Sequence, residues 1–167
     1  DGTKAVHNSA AWAGGINADG GTSAILSRTI VLNNVASEGP GGLSVSGGSE
    51  LIARRVTVSG NEAEGACGGG ASVYRSRAAL SNVVIQDNQS GHCGGGVSVA
   101  DNAVLTLTNS LVVSNTSGLG GALDFWHASA LLMNTTIADN RALTATDGIN
   151  ISELLPTQTV TIANTVL

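Results

Sequence analysis

The side chains best suited to chemistry are few, and one tetrapeptide gathers most of them. Asp124-Phe125-Trp126-His127 holds the chain's one Phe, one of its two Trp and one of its three His. An exposed Trp beside a carboxylate and an imidazole is a common arrangement at sugar-binding sites, so Asp124, Trp126 and His127 form a candidate ligand face. Two registrations are open if this segment is a strand. One points Leu123 and Phe125 inward with Asp124 and Trp126 outward, and the other reverses them. A local adjustment of the core explains the same residues without any ligand. The remaining carboxylates scatter. Glu62 and Glu64 lie between repeats, Asp87 and Asp139 precede conspicuous Asn residues, and Asp101 sits with Asn102 in a turn-like pair. Arg54, Arg55, Arg75 and Arg77 make at most a small basic patch, more simply read as a solvated face.

Other chemistries are excluded. No Lys follows the glycines as a phosphate-binding loop requires, Gly68-Gly69-Gly70 lacks dinucleotide-fingerprint spacing, and there is no Gly-x-Ser-x-Gly elbow. Net charge is −5 with 7 Lys+Arg, which argues against a nucleic-acid partner. No apolar run approaches the length of a membrane span, and no cofactor or metal site is expected. Four sequons begin at Asn88, Asn115, Asn134 and Asn150, and most are read as accidental.

Composition describes the scaffold that must position these residues. Of 167 residues 23 are Gly, about twice the usual share, while charged residues are 11% against roughly 25% in ordinary domains. Aromatics are 2% and Pro is 2. Small, β-branched and turn-forming residues indicate thin stacked layers.

The chain repeats. Asn8, Asn34, Asn61, Asn88, Asn115 and Asn140 are spaced 26, 27, 27, 27 and 25 apart. Val31, Val58, Ile85, Val112 and Ile137 stand three residues before the last five. A second word keeps phase with the first: Gly14-Gly15-Ile16, Gly41-Gly42-Leu43, Gly69-Gly70-Ala71, Gly95-Gly96-Val97 and Gly120-Gly121-Ala122. Segments such as Leu105-Thr106-Leu107 and Val97-Ser98-Val99 alternate at the strand period. About 25–27 residues per copy suits one coil of a parallel β-solenoid with three strands and three bends, coils lying about 4.8 Å apart. The expected fold is all-β, a single domain over 1–167 with about six coils and an irregular insertion at 142–156. The six Asn should form a ladder, tolerating left-handed backbone while hydrogen-bonding between coils. The glycines should permit positive φ and close stacking. Arg28 over Arg55 is a like-charge pair, which places that column in solvent.

The Gly-Gly and x-x-Asn words resemble the repeats of polymorphic outer-membrane proteins and, more broadly, bacterial right-handed parallel β-helix repeat proteins. Val or Ile stands here where the outer-membrane repeats carry Phe. The resemblance implies a right-handed coil and an extracellular or cell-surface passenger region.

Cys67 and Cys93 each precede a triple Gly and lie one coil apart. Stacked Cα atoms at that spacing fall within disulfide reach, so a bridge and an oxidising compartment are expected. Two reduced thiols are the alternative, and a metal pair with His92 is short of ligands. Leu167 is in phase with Ala5. This fits either a segment of a longer solenoid or a subunit whose last coil stacks head-to-tail on a second copy. The expected function is a non-catalytic extracellular or surface structural module. Its partner would be itself or flanking coils. The alternative is a carbohydrate-binding or polysaccharide-cleaving β-helix.

Overall fold

The computed structural model describes residues 3–167. Among them every regular element is a strand, and no helix is long and apolar enough to cross a membrane. Each full coil carries four strands rather than the expected three. In the third coil these are Thr57–Ser59, Glu62–Ala63, Ala71–Tyr74 and Arg77–Ser81. The second has only two residues, too short to show alternation in the sequence. Each segment pairs in parallel with its counterpart one coil before and after, which builds four six-stranded sheets, numbered first to fourth in that order.

Apolar columns fill the interior. Val31, Val58, Ile85, Val112 and Ile137 stack inside the first sheet, all at most 2% exposed. Val45, Val73, Val99 and Phe125 stack inside the third. Each such side chain, taken fully from water, contributes roughly 1.5–3 kcal/mol. Phe125 is 0% exposed and fits a coil whose other core residues include Ala122, Ala128 and Ala130.

The Asn residues build a continuous ladder that is buried from Asn34 to Asn115. From Asn34 to Asn140 the Oδ1 accepts both the backbone N–H and the side-chain Nδ2 of the Asn one coil earlier. For Asn34 on Asn61 the two distances are 3.0 and 2.8 Å, and for Asn61 on Asn88 they are 3.0 and 2.9 Å. The Nδ2 donates again to the first-sheet carbonyl of the coil before, as from Asn88 to Val58 at 3.1 Å. This satisfies buried polar groups that would otherwise be costly. The ladder Asn residues are not left-handed. That conformation falls on the residue before each one: His7, Asn33, Gly60, Asp87, Ser114 and Asp139, with φ of 52–61°. Asp87 and Asp139 therefore shape turns, as expected.

The paired glycines stack closely, as expected, but most are not at positive φ. That conformation belongs to Gly68, Gly94 and Gly120, while Gly69-Gly70, Gly95-Gly96 and Gly121 are needed for close approach. A Cβ on Gly70 would meet the Gly96 carbonyl at 2.6 Å and the Asn88 Nδ2 at 3.0 Å. In the fifth coil the word shifts by one residue. Val97 pairs with Leu123, so Ala122 occupies the place of Gly96. Arg28 and Arg55 both lie exposed in a bend column with Asn82, Asn109, Asn134 and Asn164, all at positive φ. Segment 142–156 is only partly irregular, because Ile149–Ser152 continues the third sheet on Leu123–Trp126.

Candidate functional site

The outer face of the third sheet is a trough running along the coil axis. Its floor is a column of outward residues, Ser44, Ser72, Ser98, Asp124 and Asn150, aligned by strand register. Ser44 and Ser98 are buried on that floor. The bend preceding the third sheet makes one wall, through Cys67, Cys93 and Leu119. Tyr74 and Trp126 make the other, two coils apart in the column Tyr74–Ala100–Trp126–Ser152. A second depression continues the trough toward the first coil, meeting the first at Cys67, Ser72 and Tyr74 and ending at Trp12 and Glu38.

Cys67 and Cys93 are bonded, with Cα atoms 4.6 Å apart. The bridge links consecutive bends and sits in the wall of the trough.

Leu123 and Phe125 point inward and Trp126 outward, the first of the two registrations. Asp124 also points outward yet is only 4% exposed. Its Oδ1 accepts a hydrogen bond from Asn150 Nδ2 at 2.6 Å. Burial raises its pKa above the ordinary carboxylate value, and the Asn150 bond opposes that shift in part. His127 does not share the trough. It occupies the bend after the strand at φ 47°. Its ring stacks on Trp126 with centroids 4.2 Å apart, and its Nε2 lies 3.3 Å from Glu153 Oε2. The same Glu153 oxygen accepts from Trp126 Nε1 at 3.0 Å. The Trp126 indole is thus held from behind by a His–Glu pair.

Tyr74 and Trp12 were not singled out in the sequence. Tyr74 is 40% exposed, Trp126 40% and Trp12 64%. The Tyr74 ring carries the Arg75 guanidinium 4.9 Å from its centroid. Hydrogen bonding toward Asp101 raises the Tyr74 phenol pKa. The same bond, with that from Arg75, holds Asp101 below the usual carboxylate range. Their signal was present: Tyr74 and Trp126 lie 52 residues apart, two repeats of 26.

Of the basic patch, Arg75 and Arg77 line one shallow depression together with Glu50 and Asn102. Arg75 pairs with Asp101, Arg54 points outward from the fourth sheet and Arg55 lies in the next bend. Among the described residues no three His, Cys, Asp or Glu gather as a metal site would require.

No curated protein and no solved structure matches the chain. The family model described as a right-handed β-helix region matches residues 4–142. Four parallel sheets wound through six coils carry that architecture, and the chain belongs to the right-handed β-helix family.

Proposed function

We propose that this chain is a non-catalytic, extracellular or cell-surface β-helix module that holds an extended glycan along the trough of its third sheet. One observation carries the reading. Three of the four aromatic residues, Trp12, Tyr74 and Trp126, are exposed and line one trough above a floor of serines. Aromatic faces stack on the apolar faces of sugar rings, while hydroxyls and amides exchange hydrogen bonds with sugar hydroxyls. Tyr74 and Trp126 stand about 10 Å apart along the axis, from two strand spacings, which suits a chain of linked rings better than a single sugar.

The absence of catalysis in this reading rests on the carboxylates. Glycoside hydrolysis needs two carboxyl groups about 5–9.5 Å apart across the bond. Asp124 lines one end of the trough and Glu38 the other, three coils away, or about 14 Å along the axis. Glu153 is engaged by Trp126 and His127. The disulfide and the likeness to surface-exposed repeats support the extracellular placement.

The test is binding of the purified chain to a glycan array, beside Trp126→Ala and Tyr74→Ala variants checked by circular dichroism. Glycan binding that falls at least about tenfold in folded variants (about 1.4 kcal/mol) supports the reading. A wild-type chain that binds no glycan ends it.

A second reading, association through the coil ends, is favoured by the sixth coil. Ile151 and Ile162 continue the columns of Phe125 and Leu132 yet are exposed, and Ile149 and Val160 are half-buried. A next coil, from a longer chain or a second copy, would cover them. Electron microscopy across a concentration series distinguishes the two: filaments assign the second copy, and monomers throughout remove it.

A further inference from the structure

We infer that the trough selects uncharged glycans and rejects uronate or sulfated ones. This rests on the glycan-binding reading and adds its substrate class. The charged side chains that line the trough are of one sign; the Arg75 guanidinium on the outer Tyr74 ring is paired with Asp101. Asp124 lies on the floor with an amide, Asn150, as its partner rather than a cation. Glu38 lines the opposite end, and Glu153 supports Trp126 from behind. Among the described residues no Lys, Arg or His lines the trough. Arg28 and Arg55 stand in the bend beyond the fourth sheet, away from this face.

An acidic polysaccharide laid over Tyr74 and Trp126 would bring its carboxylates or sulfates against Asp124. No guanidinium or ammonium stands beside Asp124 to compensate, and like charges across the open trough repel, the more strongly at low salt. A neutral sugar meets a different surface. Its hydroxyls can donate to the Asp124 carboxylate and accept from the Asn150 amide, while Ser72 and Ser98 do either. The aromatic walls contribute equally to both classes of glycan, so discrimination falls to Asp124.

The experiment is an array of neutral glycans beside their uronate and sulfate counterparts, run at low and at physiological salt, with EDTA and with calcium. The expected result is binding to neutral glycans, with matched acidic ones at least roughly tenfold weaker and the gap narrowing as salt rises. Asp124→Asn removes the charge while its Oδ1 can still accept from Asn150, so the gap should narrow through stronger binding of the acidic glycans. Preferred binding of acidic glycans, with or without calcium, overturns this inference and leaves the glycan reading intact. An unchanged gap in a folded Asp124→Asn chain overturns the assignment to Asp124. No binding to any glycan overturns the underlying reading instead.

Discussion

Replacing Asn88 by Ala tests whether the ladder, rather than the apolar columns alone, holds the coils in register. The Asn88 side chain accepts from Asn61 N and Nδ2 at 3.0 and 2.9 Å. It donates to the Val58 carbonyl and Asn115 Oδ1 at 3.1 and 2.9 Å. Four buried hydrogen bonds at about 1 kcal/mol each, with the Asn61 backbone N–H left without an acceptor, give an expected loss of about 4–6 kcal/mol. That is a large part of the roughly 5–15 kcal/mol available to a domain. Asn88→Asp keeps the shape but turns a double donor into an acceptor facing two oxygens, so it should be at least as damaging. The control is Asn134→Gly. Asn134 is exposed, sits at φ 51° and donates one bond to Asn109. Gly adopts that backbone freely, and the change should stay within about 0.5 kcal/mol. Urea unfolding followed by far-ultraviolet circular dichroism measures all three, and hydrogen exchange at Asn61 reports the broken rung directly. An Asn88→Ala chain within about 1 kcal/mol of wild type, with slow exchange retained at Asn61, would refute the reasoning.

Three further perturbations have defined signs. Replacing both Cys67 and Cys93 by Ala opens a 26-residue span and should lower stability by about 2–4 kcal/mol; reductant should bring wild type to the same unfolding midpoint and leave the variant unmoved. Phe125→Ala empties a fully buried site whose coil also packs Ala122, Leu123 and Leu132 in the core and should cost about 3–5 kcal/mol, with Phe125→Leu costing less in the same urea titration. Burial raises the folded-state pKa of Asp124, so its contribution to stability is present below the unfolded-state value, about 3.9, and is lost as pH rises through the folded value. Melting temperature against pH should therefore fall less steeply for Asp124→Asn than for wild type as acid solutions are brought toward neutrality.

The coil was legible because its constraints recur. An inward Val or Ile, a ladder Asn and a close-approach Gly must return in every copy, so their spacing reports the period and the stacked cysteines. What did not recur, or recurred in too few residues, was lost. The second sheet, with strands such as Ser9–Ala10 and Glu62–Ala63, offers two residues per coil and no alternation. The left-handed position was displaced by one because Asn suits both roles. The ladder places take a residue with an amide to donate and accept, whereas the places before them hold His, Asn, Gly, Asp and Ser, related only through turn conformation. The one-residue shift in the fifth coil was hidden because Gly120-Gly121 imitates the stacking pair, and only the pairing of Val97 with Leu123 exposes it. His127 joined the candidate face by adjacency in the chain, but a strand that ends at Trp126 turns the next residue into the bend.

The outward columns of the third sheet carry information of a different kind. Pleating removes their side chains from the interior, so stacking requires of them only that they fit. The floor column meets that requirement with Ser44, Ser72 and Ser98, small residues that reach across to neighbouring coils at little cost. Asp124 departs from it in a position where burial penalises a charge. The neighbouring column makes the same contrast, since Ala100 and Ser152 suffice where Tyr74 and Trp126 stand. Large aromatic surface left in water and a buried carboxylate without a cation both oppose stability, and the coil supplies a smaller residue for each place. Their occurrence along one trough, Asp124 and Trp126 in one coil and Tyr74 two coils before, is what the fold does not require. That excess over structural need is the physical ground for reading the face as a binding surface.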